Sequence, residues 1–145
     1  MITQDWKHLR KTSLSLPSFD QNLEKILMAE LTQHETGVGI SAIQVGIPAR
    51  MCIVKIGIGV GPGSKYITLW NPEIRYRDDL RVMSESCLSL PGITIPVTRC
   101  YNIEVKNGDG QKLCFNGFTA RIVQHEIDHM NGILITDHEP GDYPI

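Results

Sequence analysis

His125-Glu126-Ile127-Asp128-His129 sets two histidines four positions apart, with a glutamate directly after the first. On a helix, residues at i and i+4 project from one face about one turn apart, so both imidazoles can reach a single metal ion. Glu126 then stands beside the open coordination position, where a carboxylate can take a proton from a water polarised by the metal. The bland alternative is a helix whose histidines satisfy ordinary core or surface hydrogen bonds. The rarity of the five-residue pattern favours the metal.

Two imidazoles seldom hold a catalytic metal alone, so a third ligand is expected. Downstream, Gly132 falls where the extension H-x-x-G-x-x-H would have its glycine, but the final histidine position is Ile135. Asp137, Glu139 and Asp142 are carboxylates on a Pro/Gly-rich tail and are poorly placed. Upstream, the stretch Ser84 to Gly92 puts Cys87 at the end of a predicted strand among turn-forming residues. A metal's own charge stabilises a thiolate delivered from such a loop. Cys52, Cys100 and Cys114 are expected as small buried hydrophobes. With no C-x-x-C pair and no export signal, a disulfide framework is not expected.

The elements that must position these residues show in the periodicity. Ser18 and Gln21 have capping-box spacing before Leu23, Ile26, Leu27 and Leu31, and Thr36-Gly37 ends the pattern, which predicts a helix over about 19–35. The glycine-rich run Gly37 to Gly46 must bend sharply or lie against something. Strands are predicted over 51–56, 66–70, 74–82 and 101–106, and Asn107-Gly108-Asp109-Gly110 turns the last of these into a strand over 112–115. Asn116 is placed to cap a second helix with Phe118, Ile122, Val123, Ile127 and Met130 as its apolar positions and Asn131-Gly132 as its stop. Ile133 to Ile135 reads as a short strand or extended stretch, and Pro140, Gly141 and Pro144 disfavour helix after it. Several strands with two helices, lacking regular alternation, predict an α+β fold with antiparallel or mixed strands around a central helix carrying H-E-x-x-H.

At 145 residues, 41% hydrophobic and 21% charged, the chain suits a single catalytic domain over residues 1–145. Its formal charge of −2, from 14 basic against 16 acidic residues, offers no surplus for a phosphate backbone, so direct nucleic-acid binding is not expected. No run approaches the roughly 20 apolar residues of a membrane span. The charged start, Met1 to Lys11, is unlike a signal peptide, and Asp5 argues against an organellar transit segment despite Lys7, Arg10 and Lys11. A cytoplasmic location is expected.

Three segments resemble the motifs of the peptide deformylases, in order and at comparable spacing: Gly37 to Gln44, Glu85-x-Cys87-Leu88-Ser89, and Gln124 to His129. The likeness spans about 37–135, with Leu9-Arg10-Lys11 a weaker echo of the family's start. It implies hydrolysis of the N-formyl group of N-formylmethionyl nascent chains, with formate released, and an encounter with those chains near the ribosome. It implies that Cys87, His125 and His129 bind one divalent metal, natively often Fe²⁺, although the same donors suit Zn²⁺, Ni²⁺ and Co²⁺. Glu126 would be general base and then proton donor, with the Gln44 side-chain amide and the Leu88 backbone N–H aimed at the developing oxyanion. Gly39 would bond an extended substrate through its backbone, and Val38, Ile122 and the His125 ring would line the methionine pocket.

Two departures stand out. Ser86 occupies a position where the family usually has glycine and uses the carbonyl for substrate backbone; a positive φ there would impose strain. The chain also lacks the C-terminal helix of longer members and is similar to compact ones, including those carried by viruses of bacteria. The alternatives are a catalytically silent, metal-stabilised binding module, with Ser86 as its mark, and a zinc endopeptidase that gives Cys87 no role.

Overall fold

The computed structural model describes residues 1–56 and 65–138. After a single helical turn, α1 (Trp6–Leu9), the chain forms α2 (Gln21–Leu31), then three short strands, β1 (Gly39–Ser41), β2 (Met51–Ile56) and β3 (Lys65–Trp70). A long hairpin follows, β4 (Glu73–Cys87) and β5 (Leu90–Lys106), then β6 (Lys112–Asn116) and α3 (Gly117–Met130). The strands make two antiparallel sheets, β1-β2-β3 and β4-β5-β6.

Helix α2 is shorter than the periodicity predicts, because Asp20 rather than Ser18 caps it by accepting the Leu23 N–H at 3.0 Å. At its other end the Thr32 hydroxyl turns back onto the Met28 and Ala29 carbonyls. Its buried face, Leu23, Leu27 and Leu31, packs on Ile40, Met51 and Ile53, whereas Ile26 is exposed.

The hairpin strands run well past the expected 74–82 and 101–106. Pro91, Gly92 and Pro96 hide β5 from propensity, yet Pro96 lies opposite Ser84 in the ladder; pairing over the length of β4 overrides the local signal. The turn Asn107 to Gly110 forms as expected, with Gly110 at φ +86°.

Helix α3 lies between the sheets and packs on β5, β1 and β2. Ala120, Val123, Ile127 and Met130 meet Cys52, Val54 and Leu69 of one sheet and Cys100, Ile103 and Val105 of the other. Asn116 is the residue before the helix but its side chain makes no capping bond, and Phe118, expected on the core face, is exposed. Gln124 fastens the helix to β5 where β6 no longer pairs with it: its amide accepts from the Cys100 N–H at 3.0 Å and donates to the Cys100 carbonyl at 2.8 Å, as a neighbouring strand would. Gly132 ends α3 at φ +73°, where a Cβ would collide with the Arg10 backbone.

Ile133 to Ile135 is not a strand. Leu134 is extended and Ile135–Asp137 forms a 3₁₀ turn, because the Asp137 carboxylate accepts the Leu134 N–H at 2.8 Å. The expectation for Pro140, Gly141 and Pro144 lies outside the described residues. All four cysteines are free; Cys52 and Cys100 are buried as expected, but Cys114 is exposed on β6, whose alternation turns it outward.

Candidate metal centre

The end of β4 and the buried face of α3 bring three donors together. Cys87 closes β4 just before the Leu88-Ser89 turn, and His125 and His129 come from successive turns of α3. The three donor atoms lie within 4.8 Å of one another, with Cys87 Sγ 3.3 Å from His129 Nε2. Tetrahedral ligands on zinc-like ions sit about 3.5 Å apart given ordinary bond lengths, so a thiolate and two imidazoles at this spacing fit a divalent metal. Asp137 is spoken for elsewhere, forked to Arg10 by two bonds of 2.9 Å, and Glu139 and Asp142 lie outside the described residues.

Behind the donors is a buried set of charges. His125 Nδ1 lies 2.9 Å from Glu85 Oε1, and Arg99 holds the same carboxylate through Nε and Nη2, each at 3.0 Å. Arg121 Nη1 adds a bond of 2.6 Å to Glu85 Oε2. Burial alone would raise the Glu85 pKa, but the His125 and Arg99 bonds hold its carboxyl far below the ordinary carboxylate range. An ionised Glu85 accepts, so Nδ1 carries the hydrogen and Nε2 is left with its lone pair for a metal. In the metal-free chain burial opposes a charged His125, yet its bonds to Cys87 and Glu85 outweigh that and lift its pKa to about 10. Burial, together with the charges on His125 and Arg99, keeps His129 neutral. A bound cation would take the place of the His125 proton.

Glu126 is 4% exposed, and burial pushes its pKa up against the opposing pull of His125 and Ser41. The Ser41 hydroxyl lies 2.9 Å from the Glu126 carbonyl and 3.1 Å from Oε1, so its one hydrogen ties β1 to this residue. Gly39 has a reason to be glycine that the sequence did not show: a Cβ would stand 2.7 Å from Glu126 Oε2 and 2.9 Å from Ile122 Cγ2. Gln44 is held at both ends of its amide. Its Oε1 accepts the Ser41 N–H at 2.9 Å, and Nε2 donates to Ser89 Oγ at 3.1 Å with Cys87 Sγ 3.7 Å away.

A cleft of about 500 Å³ opens over these groups, lined by Val38, Gly39, Gln44, Ser86, Cys87, Leu88, Ile122, His125 and Glu126, while His129 lies beneath it. Every site residue read from the sequence therefore gathers at one place. Ser86 is exposed, and among the described residues Asn71 and Asp79 alone carry a positive φ without being glycine. Serine is accommodated there without backbone strain, which removes the ground for reading it as a mark of lost function.

The sequence profile of the polypeptide deformylases matches residues 1–141. This chain belongs to the peptide deformylase family. Relatives include the peptide deformylases of Thermotoga petrophila, 38% identical over 136 residues (89% of this chain, 79% of the relative), and Halothermothrix orenii, 41% identical over 133 residues (89% and 79%). Among solved structures, the peptide deformylase of Thermotoga maritima has a TM-score of 0.80 at 37% identity, covering 97% of each chain. A plant peptide deformylase has a TM-score of 0.84 at 30% identity, covering 97% of this chain and 80% of its own. The α+β fold class is that of these deformylases, which are metal-dependent hydrolases.

Around this deformylase-family site, sequence reasoning missed Ser41, Ser89, Arg99, Arg121 and Asp128, and it gave Glu85 no role. Arg99 carried the one usable signal, a charge set between Val97 and Cys100 in an apolar, β-branched run. Ser41 and Ser89 carried none, since small hydroxyl residues beside a turn usually serve the turn.

Proposed function

We propose that the chain is a single-domain peptide deformylase over residues 1–145, cleaving the formyl C–N bond of N-formylmethionyl peptides and releasing formate. The observation that supports this most is the burial of the Glu126 carboxylate beside Cys87, His125 and His129 at the floor of the cleft. Cys87, His125 and His129 hold one divalent ion, Fe²⁺ in the native protein, with Zn²⁺, Ni²⁺ or Co²⁺ able to take its place. When bound, the ion would supply Lewis acidity that makes the attacking water easier to deprotonate.

Glu126, kept basic by burial and fixed in place by Ser41, receives the proton of the attacking water and returns it to the departing amine nitrogen. Gln44 Nε2 and the Leu88 N–H stabilise the oxygen on which charge develops; Gln44 is already locked by Ser41 and Ser89, so little reorganisation is needed. Gly39 and Ser86 present backbone to the extended peptide, and Val38, Ile122 and the His125 ring enclose the methionine side chain. The substrates are nascent chains met near the ribosome, in the cytoplasm.

The test is Glu126→Gln, with formate release and bound metal measured on one preparation. Turnover is expected to fall about a hundred- to ten-thousand-fold with metal content unchanged, as when a positioned acid/base is removed. Near-normal formate release would overturn the mechanism, and cleavage of internal peptide bonds by the unaltered chain would overturn the substrate.

A further inference from the structure

A continuous set of side chains links the far end of the described chain to a metal-site histidine. His138 Nε2 lies 2.9 Å from Asp128 Oδ2, and that same oxygen accepts Arg99 Nη1. Arg99 spends its other two bonding nitrogens on Glu85, and Glu85 Oε1 takes Nδ1 of His125. Arg99 and Glu85 are 5% and 6% exposed, Asp128 and His138 20% and 21%, so the path narrows from partly wet to dry as it approaches the site.

The plane of the Arg99 guanidinium is set from both sides, by the Glu85 fork and by Asp128. Asp128 in turn is steadied by His138 through the oxygen it offers Arg99. Without the imidazole, the carboxylate turns toward water, the guanidinium loses one of its two anchors, and the bond that orients His125 slackens. Arg121 also holds Glu85, which bounds the effect.

We infer that His138 is a positioning residue for the metal site, acting through Asp128, Arg99 and Glu85 on the orientation of His125. The inference rests on the reading of His125 as a ligand. It needs only the N–H that His138 gives to Asp128.

The experiment follows release of Co²⁺ from the full chain into excess chelator. His138→Ala is expected to release the metal about three- to tenfold faster, below the ten- to hundredfold typical of a direct partner of a ligand. His138→Gln, which keeps an N–H donor, should return toward the original rate. In a double-mutant cycle, His138→Ala combined with Asp128→Asn should release no faster than Asp128→Asn alone, since both break one path. An unchanged rate in His138→Ala, failure of His138→Gln to rescue, or multiplying effects in the double variant would each overturn the inference. Cys87→Ser, run alongside, should lose the metal; if it held Co²⁺ like the original chain, the ligand reading itself would fall, and the inference with it.

Discussion

Strand β4 carries two kinds of arginine–carboxylate pair. Near its end, Glu85 meets Arg99 and Arg121 with side chains 5–6% exposed. At its beginning and middle, Arg75 meets Glu73 at 2.7 Å and Arg81 meets Asp79 at 2.8 Å, with side chains 43–63% exposed. The distances scarcely differ between the two ends. What differs is the water available as an alternative partner: at the exposed end it replaces a lost partner at little cost, whereas around Glu85 no water stands ready to replace one. Length of an ion pair thus says little of its weight, and the heavy pairs are those that orient His125.

The largest effect on stability is expected from Glu85→Gln. It removes the charge that Arg99 and Arg121 share, leaving Arg99 with Asp128 and Arg121 with the Val97 and Arg81 carbonyls, and breaking a buried pair in this way costs about 3–5 kcal/mol. Urea unfolding of the metal-loaded chain would read it; a loss no greater than for an exposed pair would erase the distinction between the two ends.

An intermediate case sharpens the comparison. Arg10 and Asp137, 44% and 31% exposed, join α1 to the 3₁₀ turn after α3. Partial burial of Asp137 acts to raise its pKa, but the Arg10 bond and the Leu134 N–H outweigh this and lower it from 3.8. A carboxyl whose folded pKa is depressed adds stability above its unfolded pKa and loses it as pH falls through the folded one. Asp137→Asn should therefore cost less than about 1 kcal/mol near neutrality, after screening, and the gap to the original chain should close as pH drops below 3.8. Thermal midpoints of both chains across pH would check this, and a gap that widened in acid would reverse the sign.

The smallest effect is expected at Arg81. Its charge pairs with Asp79 in solvent and its guanidinium lies 4.0 Å over the Tyr101 ring, a contact a methionine can partly keep. Arg81→Met should leave the unfolding midpoint unchanged within the error of measurement. A shift as large as that of Glu85→Gln would show that exposure does not govern these pairs.

The helix bearing the H-E-x-x-H run was readable because its apolar residues recur at helical spacing and Asn131-Gly132 stops them, both local properties of the chain. Cys87 was readable as a candidate ligand because a strand ending in a turn delivers a side chain to one place. The length of β4 and β5 was not, since it comes from pairing across the hairpin, and Phe118 misled because periodicity does not say where the next element ends. Ser18 misled as well: Ser18 and Asp20 are both good caps, and the choice fell to which side chain reached the Leu23 N–H.

By itself, then, the sequence determined the chemistry on offer: a thiol, two imidazoles and a carboxylate, with the helix and turn that present them. Only the tertiary structure decided what surrounds them. Glu85 and Arg99 are fourteen residues apart, and Arg121 and Asp128 come from a helix beyond a further strand, yet all four join in one network. Gly39 is glycine because a carboxylate 87 residues later fills the space its Cβ would need. Spacing along a chain encodes what a helix or strand will present on one face; which distant charge lies opposite, and whether water reaches it, depends on how the two sheets close around α3.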